Sequence, residues 1–240
     1  MSVLGCGWVG LPLAKKLVLE GYFVKGSTTT SDSVSVLNDA GIHPYLFSIP
    51  TLDIALESFF LSDVLVITIP FLRSYEDPWM YVDVIKQCLF VKPEVQIIFM
   101  SSTSVYHSPN DWVDEACSIV FLNERQKALF DAEQCILAKQ GVVLRLGGLY
   151  GFDRRVTARE PMTSPVNLVH RDDVVACTLS VIRQGIRNDV FNVVSDEHRT
   201  KSELFFGKKP VALDSYKMVS NTKLKQVLGY SFLHPIVSEI

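Results

Sequence analysis

Short apolar runs alternate with amphipathic stretches through roughly the first 150 residues. Val3 and Leu4 form a brief apolar strand, and Gly5-Cys6-Gly7-Trp8-Val9-Gly10 follows as a tight turn. From Leu11 to Glu20 the pairs Leu13/Leu17 and Ala14/Val18 recur at i, i+4, which predicts a helix. Pro12 falls in its first turn, where a missing N–H costs nothing, and Gly21 suits its C′ position. Tyr22 to Lys25 reads as the second strand, Ser33 to Ala40 as a helix ending at Gly41, Pro44 to Phe47 as a short strand and Leu52 to Leu61 as a helix. The β-branched run Asp63 to Pro70 predicts a strand buried on both faces of a parallel sheet. Trp79 to Phe90 and Asn123 to Lys139 are helix candidates; Val95 to Met100, ending in Ser101-Ser102-Thr103, and Val142 to Leu146 are strands.

Strands alternating with helices of about ten residues predict an α/β fold, a doubly wound parallel sheet of Rossmann type with right-handed crossovers. Residues 1–150 are expected to form the dinucleotide-binding domain, and 151–240 to complete the sheet and supply a small, irregular C-terminal substrate lobe. That second part carries a helix from Asp173 to Gln184, a strand from Val190 to Val194 and a small helix from Thr222 to Leu228 before Gly229.

Composition narrows the function classes. Over 240 residues, 23 basic and 26 acidic side chains give a net charge of −3, without the basic surface that nucleic-acid binding needs. An apolar fraction of 48% argues against disorder. The longest apolar stretch, Val64 to Leu72, falls well short of the roughly 20 residues of a membrane span. The N-terminus lacks the basic region of a signal peptide and is broken by glycines. Cys6, Cys88, Cys117, Cys135 and Cys177 are scattered and odd in number, so free thiols in a reducing cytoplasm are expected, with no metal site.

The glycine turn is where chemistry enters. Gly5-x-Gly7-x-x-Gly10 between a strand and a helix fits a dinucleotide fingerprint. The first glycine allows the turn, the second lets a pyrophosphate approach the backbone, and the third lets helix and strand pack closely. Trp8, Val9 and the first helical amides complete the phosphate cradle. An NAD site wants Asp or Glu at the end of the second strand, where this chain has Lys25-Gly26-Ser27-Thr28-Thr29-Thr30. No carboxylate repels a 2′-phosphate there, and Ser27, Thr28, Thr29 and Thr30 offer hydroxyl and amide donors, so NADP is expected over NAD. Lys25 is either an added charge or a solvated strand residue, and Asp32 is the residue that would favour NAD.

Four segments in order, Gly5 to Gly10, Ser101-Ser102-Thr103-Ser104-Val105-Tyr106, Arg145 to Gly151 and Val169 to Val174, resemble the extended short-chain dehydrogenase/reductase family, also called the NAD-dependent epimerase/dehydratase family. The chain is most similar to its atypical branch of small proteins opening with GCGxVG. The resemblance implies that Ser102 is the catalytic hydroxyl, that Pro70, Ser101 and Arg145 lie beside the cofactor, and that Ile69 and Phe71 help wall the nucleotide. It also implies a Tyr-x-x-x-Lys pair on the next helix, the tyrosine as general acid/base. This chain has none between Tyr106 and Gly141: one alignment puts Arg125 and Leu129 there, another Asn123 and Lys127. Tyr106 or Tyr150 is positioned to substitute, or else packs as a strand-end aromatic.

Several residues stay open between two readings. Arg145 forms a buried ion pair or touches cofactor or substrate, and His170, lying before a helix cap at Asp172 or Asp173, is a structural residue or takes part in proton transfer. Asp114-Glu115 form a solvated face or line a pocket mouth, and His107 is a loop residue or a proton donor. The stretches 154–165 and 195–210 are short for a substrate lobe of this family. Three functions follow: an NADP-dependent oxidoreductase or epimerase on a small carbonyl, alcohol or nucleotide-sugar; a silent NADP(H)-binding sensor; or a structural subunit. Relatives of this kind often pair through helices, so a homodimer is the expected assembly.

Overall fold

The computed structural model describes residues 1–47, 57–71, 77–89, 92, 94–157, 162–209, 212–213 and 216–234. Its central feature is a seven-stranded sheet in the order β10-β7-β5-β4-β1-β2-β3. The strands are β1 (Ser2–Leu4), β2 (Lys25–Thr28), β3 (His43–Leu46), β4 (Val64–Ile67), β5 (Gln96–Ser102), β7 (Val142–Leu146) and β10 (Asp189–Val193). The order reverses direction at β1, flanked by β4 and β2, both parallel to it. Ligands of open α/β sheets bind at the carboxyl ends of strands beside such a reversal. The α/β architecture expected from the alternation is therefore the one observed.

The helices are α1 (Gly10–Leu19), α2 (Asp32–Asp39), α3 (Glu57–Phe60), α4 (Trp79–Cys88), α5 (Glu124–Leu137), α6 (Arg171–Arg183), α7 (Lys201–Phe206) and α8 (Thr222–Leu228). α1 buries Leu13, Ala14 and Leu17 and exposes Lys15 and Lys16, as its periodicity predicts. Each leucine contributes roughly 1.5–3 kcal/mol on burial. None of the described helices is long and apolar enough to cross a membrane. The expected helix from Leu52 begins outside the described residues, of which Glu57–Phe60 is the helical part.

One strand is displaced. β2 runs Lys25–Thr28, three residues beyond the apolar stretch Tyr22 to Lys25 that predicted it. Pairing explains this: Ser2 and Val3 of β1 register with Lys25 and Gly26, so Tyr22 and Phe23 precede the sheet edge and are exposed. Tertiary pairing outweighs the propensity of an aromatic pair. Ser27 and Thr28 are consequently strand residues rather than turn residues.

The chain divides into two compact units. The first comprises Met1–Ser101, Lys127–Val143 and Val181–Asp189, and holds the glycine turn. The second comprises Ser102–Gln126, Leu144–Ser180 and Val190–Ile240. Within it are two small parallel ladders that periodicity did not reveal: β6 (Asp111–Val113) with β11 (Lys217–Val219), and β8 (Gly148–Tyr150) with β9 (Leu168–His170). Three-residue strands are too short to show an alternation.

Candidate functional site

The glycine turn is fixed by three elements of the first unit. Gly5 adopts φ +97°, a conformation that strains any side chain. Its N–H donates to Ser27 Oγ at 2.8 Å, and Cys6 N–H donates to the Ser27 carbonyl at 2.8 Å. The Gly5 carbonyl accepts from Gly7 N–H at 2.7 Å and from the Thr68 hydroxyl at 2.5 Å. Thr68, the first polar residue after the apolar run of β4, thus clamps the turn; its position at a strand end beside β1 was the only sequence signal for it. A Cβ on Gly10 would stand 2.2 Å from the Gly5 carbonyl oxygen, whereas one on Gly7 would meet nothing within 4 Å among the described residues. Gly10 is the close-packing glycine, and Gly7 opens on free space.

That space is a pocket of about 470 Å³. Its walls include Gly5, Cys6 and Gly7 after β1, Ser27 to Thr30 at the end of β2, Phe47 after β3, and Ile69 and Pro70 after β4. Of the expected cofactor residues, Gly5, Gly7, Ser27, Thr28, Thr29, Thr30 and Pro70 are brought together here. Gly10 begins α1 and Val9 is its N-cap, buried in the core; neither they nor Trp8 line the pocket. Among the described residues no side chain caps the N-terminus of α1, but Leu11 N–H already donates to the Gly7 carbonyl at 3.0 Å and Pro12 has no N–H, so the first turn offers an anion the positive end of the helix dipole rather than a row of free amides. Ser33, which sequence reasoning missed, also lines the pocket, its hydroxyl 2.7 Å from that of Thr30.

Among the described residues, none that lines the pocket carries a carboxylate or a cation. Asp32 is outside the lining, and the Lys25 ammonium is directed elsewhere, donating to the carbonyls of Ser58 and Leu61. Lys25 therefore adds no charge to the pocket. Burial pushes the Cys6 thiol up to about 12, so it stays protonated and inert. The hydroxyl of Ser101 is also committed, donating to the fully buried Glu133 at 2.5 Å.

The second unit holds Ser102 and Tyr106. Ser102 precedes a 3-10 turn, Thr103–Val105, and its Oγ accepts from Ser104 N–H at 3.1 Å. Tyr106, expected as a replacement proton donor, is instead buried, its hydroxyl donating to Asn192 Oδ1 at 2.9 Å and accepting from Arg145 at 2.7 Å. Burial raises its pKa to about 12, so the hydroxyl stays protonated near neutral pH and both its interactions are taken up by Asn192 and Arg145. Arg145 correspondingly spends a donor on Tyr106 within the interior. Glu115 is not part of a solvated face: it is half-buried and accepts from Asn192 N–H at 2.6 Å, and burial raises its pKa. Tyr106→Phe deprives Arg145 and Asn192 of this partner in the interior, so it is expected to cost about 1–3 kcal/mol in denaturant unfolding while leaving nucleotide affinity unchanged.

Tyr150 is fully buried, and its hydroxyl donates to the His234 carbonyl at 2.9 Å, a packing role rather than a proton-transfer one. His170 is itself the cap of α6, correcting the expectation of Asp172 or Asp173: its Nδ1 accepts from Asp172 N–H at 3.1 Å. Asp173 instead accepts from Tyr230, Leu233 N–H and His234 N–H, anchoring the segment that follows α8. Candidate ligand atoms of His170, Asp173 and His234 lie within 4.8 Å of one another. The cap occupies Nδ1 and puts the neutral ring's hydrogen on Nε2, so His170 offers no lone pair to a metal.

No family model matches the chain. It is 28% identical over 265 residues to Protein YeeZ of Escherichia coli, covering 98% of this chain and 96% of that protein. Among solved structures it is similar to the UDP-glucuronic acid 4-epimerase of Bacillus cereus in complex with NAD, with a TM-score of 0.78 at 18% identity over 100% of this chain and 96% of that one. The dTDP-glucose 4,6-dehydratase of Bacillus anthracis in complex with NAD gives a TM-score of 0.78 at 13% identity over 100% and 94%. The fold is that of the NAD-dependent epimerases and dehydratases. A conserved protein of unknown function from Silicibacter pomeroyi has it too, with a TM-score of 0.75 at 19% identity over 99% and 95%.

Proposed function

We propose that this protein is a nicotinamide-nucleotide-dependent oxidoreductase or epimerase of the atypical extended short-chain dehydrogenase/reductase type. The observation that carries the reading is the pocket at the carboxyl ends of β1, β2 and β4, with Gly7 open to it and α1 uncapped beside it. Gly5 and Gly7 would hold the pyrophosphate, with Gly10 letting α1 pack close behind the turn; Pro70 and Ile69 would wall the nucleoside. Hydroxyls of Thr28, Thr29, Thr30 and Ser33, with no carboxylate among the described lining residues, favour NADP over NAD. Ser27 contributes less directly, since its Oγ already accepts from Gly5 N–H. When bound, the nicotinamide supplies hydride chemistry. Ser102 would donate its hydroxyl hydrogen to a substrate carbonyl or alcohol oxygen. Structures of this fold crystallised with UDP-glucuronic acid or UDP-glucose and NAD support a nucleotide-sugar, or another small carbonyl compound, as the substrate class. The five cysteines are free thiols, in keeping with a cytoplasmic protein, and a homodimer is the assembly proposed.

A second reading is favoured by the burial of Tyr106 and the missing Tyr-x-x-x-Lys pair: a sensor that binds NADP(H) without turnover. Titration calorimetry with NADP and NAD tests the shared cofactor claim, the expected result being micromolar or tighter binding, NADP ahead. NADPH oxidation against a panel of carbonyl compounds, together with product analysis of UDP-sugars incubated with enzyme and oxidised cofactor (an epimerase consumes no net cofactor), then separates the two readings. Turnover lost at least a hundredfold in Ser102→Ala supports the enzyme; binding with no turnover on any panel member supports the sensor. Absence of binding by either nucleotide removes both.

A further inference from the structure

The half-buried Lys217, on β11, has no role in the reading above, and nothing in the sequence marked it out. Its ammonium donates to the Tyr106 carbonyl at 2.7 Å. None of the ion pairs among the described residues includes it, and burial lowers its pKa to about 8. A methionine of similar reach would bury there without that desolvation cost. The same Tyr106 carbonyl also accepts from Gln126 Nε2 at 3.3 Å, and that nitrogen's second hydrogen goes to the Ser104 carbonyl at 3.2 Å. Gln126 is fixed in turn, its Oε1 accepting from Leu122 N–H at 2.8 Å and its N–H donating to Asn123 Oδ1 at 2.9 Å. At the other end of Tyr106 the hydroxyl is held by Asn192 and Arg145.

These contacts converge on one segment, Ser102 to Tyr106. Ser102 Oγ accepts from Ser104 N–H within it, which fixes the oxygen and leaves the hydroxyl hydrogen to donate outward. The direction of that hydrogen depends on where Ser104 sits, and Ser104 is held through its carbonyl by Gln126. We propose that Lys217 is a positioning residue for Ser102: its ammonium, together with the Gln126 carboxamide, holds the turn that presents the Ser102 hydroxyl. A charge-assisted bond to a backbone carbonyl is stronger than a neutral one, which gives the retained charge a purpose. Residues kept for function at the expense of stability are recognised by variants that gain one and lose the other. The catalytic half of this proposal rests on the oxidoreductase reading; the structural half does not.

The test compares wild type with Lys217→Met, Lys217→Arg and Gln126→Leu. Amide exchange of a peptide spanning 102–106, followed by mass spectrometry, is expected to be at least tenfold faster in Lys217→Met, with a melting temperature equal to or above wild type. Lys217→Arg restores slow exchange, and Gln126→Leu accelerates it with Lys217 in place. With NADPH and the carbonyl panel, Lys217→Met lowers kcat at least tenfold at unchanged KM for NADPH. Wild-type exchange in both Lys217→Met and Gln126→Leu overturns the proposal, as does a lower melting temperature with kcat unchanged. Should Lys217→Met not fold, wild-type exchange in Gln126→Leu overturns it and faster exchange supports it. A wild-type protein that binds NADPH without oxidising it defeats the oxidoreductase reading alone, and the exchange data then decide the clamp.

Discussion

Gly7→Val is expected to fold like wild type and to lose measurable affinity for both NADP and NAD. A Cβ at this position meets no atom of the described residues within 4 Å, and its backbone is not in the left-handed region, so a side chain begins there without strain. The same side chain fills the open space over Gly7, where the proposed diphosphate would lie against the turn. Charged-acceptor hydrogen bonds are worth about 1.5–3 kcal/mol each. Losing two of them weakens binding by roughly a hundredfold to ten-thousandfold. Calorimetric titration, with a thermal melt as the control for folding, reads both halves of the prediction. Retained nucleotide affinity in a folded Gly7→Val protein would show that the ligand sits elsewhere.

That prediction could be framed from the amino-acid sequence, and the reason is local. The spacing Gly5-x-Gly7-x-x-Gly10 constrains backbone conformation within six residues, so strand, turn and helix follow from neighbours in the chain. The helices were equally legible, since α1, α4, α5 and α8 each bury one face at a 3.6-residue period. What resisted reading depends on distant partners. Lys25–Thr28 is a strand because β1 pairs with it, although the apolar residues lie before it. Tyr106 is committed to Asn192, 86 positions away, and its carbonyl to Lys217, 111 positions away. No local pattern marks a lysine whose partner is a backbone carbonyl. Thr68 and Ser33 lie between these extremes: each follows or opens a predicted element, but only the fold shows that they face the glycine turn and the pocket.

Gly10 separates packing from binding within the same motif. Gly10→Ala places a methyl group 2.2 Å from the Gly5 carbonyl oxygen and 2.8 Å from Thr68 Oγ1. Neither neighbour yields easily: the first is backbone held at φ +97°, and the second is hydrogen-bonded to the Leu4 and Gly5 carbonyls. Relief requires α1 to move off β1, which opens contacts of the buried Leu13, Ala14 and Leu17. Two effects oppose this loss. Alanine reduces the entropy of the unfolded chain by about 0.4–1 kcal/mol, and it is the better helix former by about 1 kcal/mol in a helix interior, less at the first position. Overpacking against immobile neighbours costs roughly 1–3 kcal/mol and more where a helix must shift. The steric term wins, and a net loss of about 3 kcal/mol is expected, a fall in melting temperature of roughly 6–12 °C for a chain of this size. Gly7→Ala, with open space around its methyl, should melt within a degree or two of wild type. Equal melting temperatures for the two alanine variants would mean that α1 does not approach β1 closely enough to require glycine, and the phosphate cradle built on that approach would lose its geometric basis.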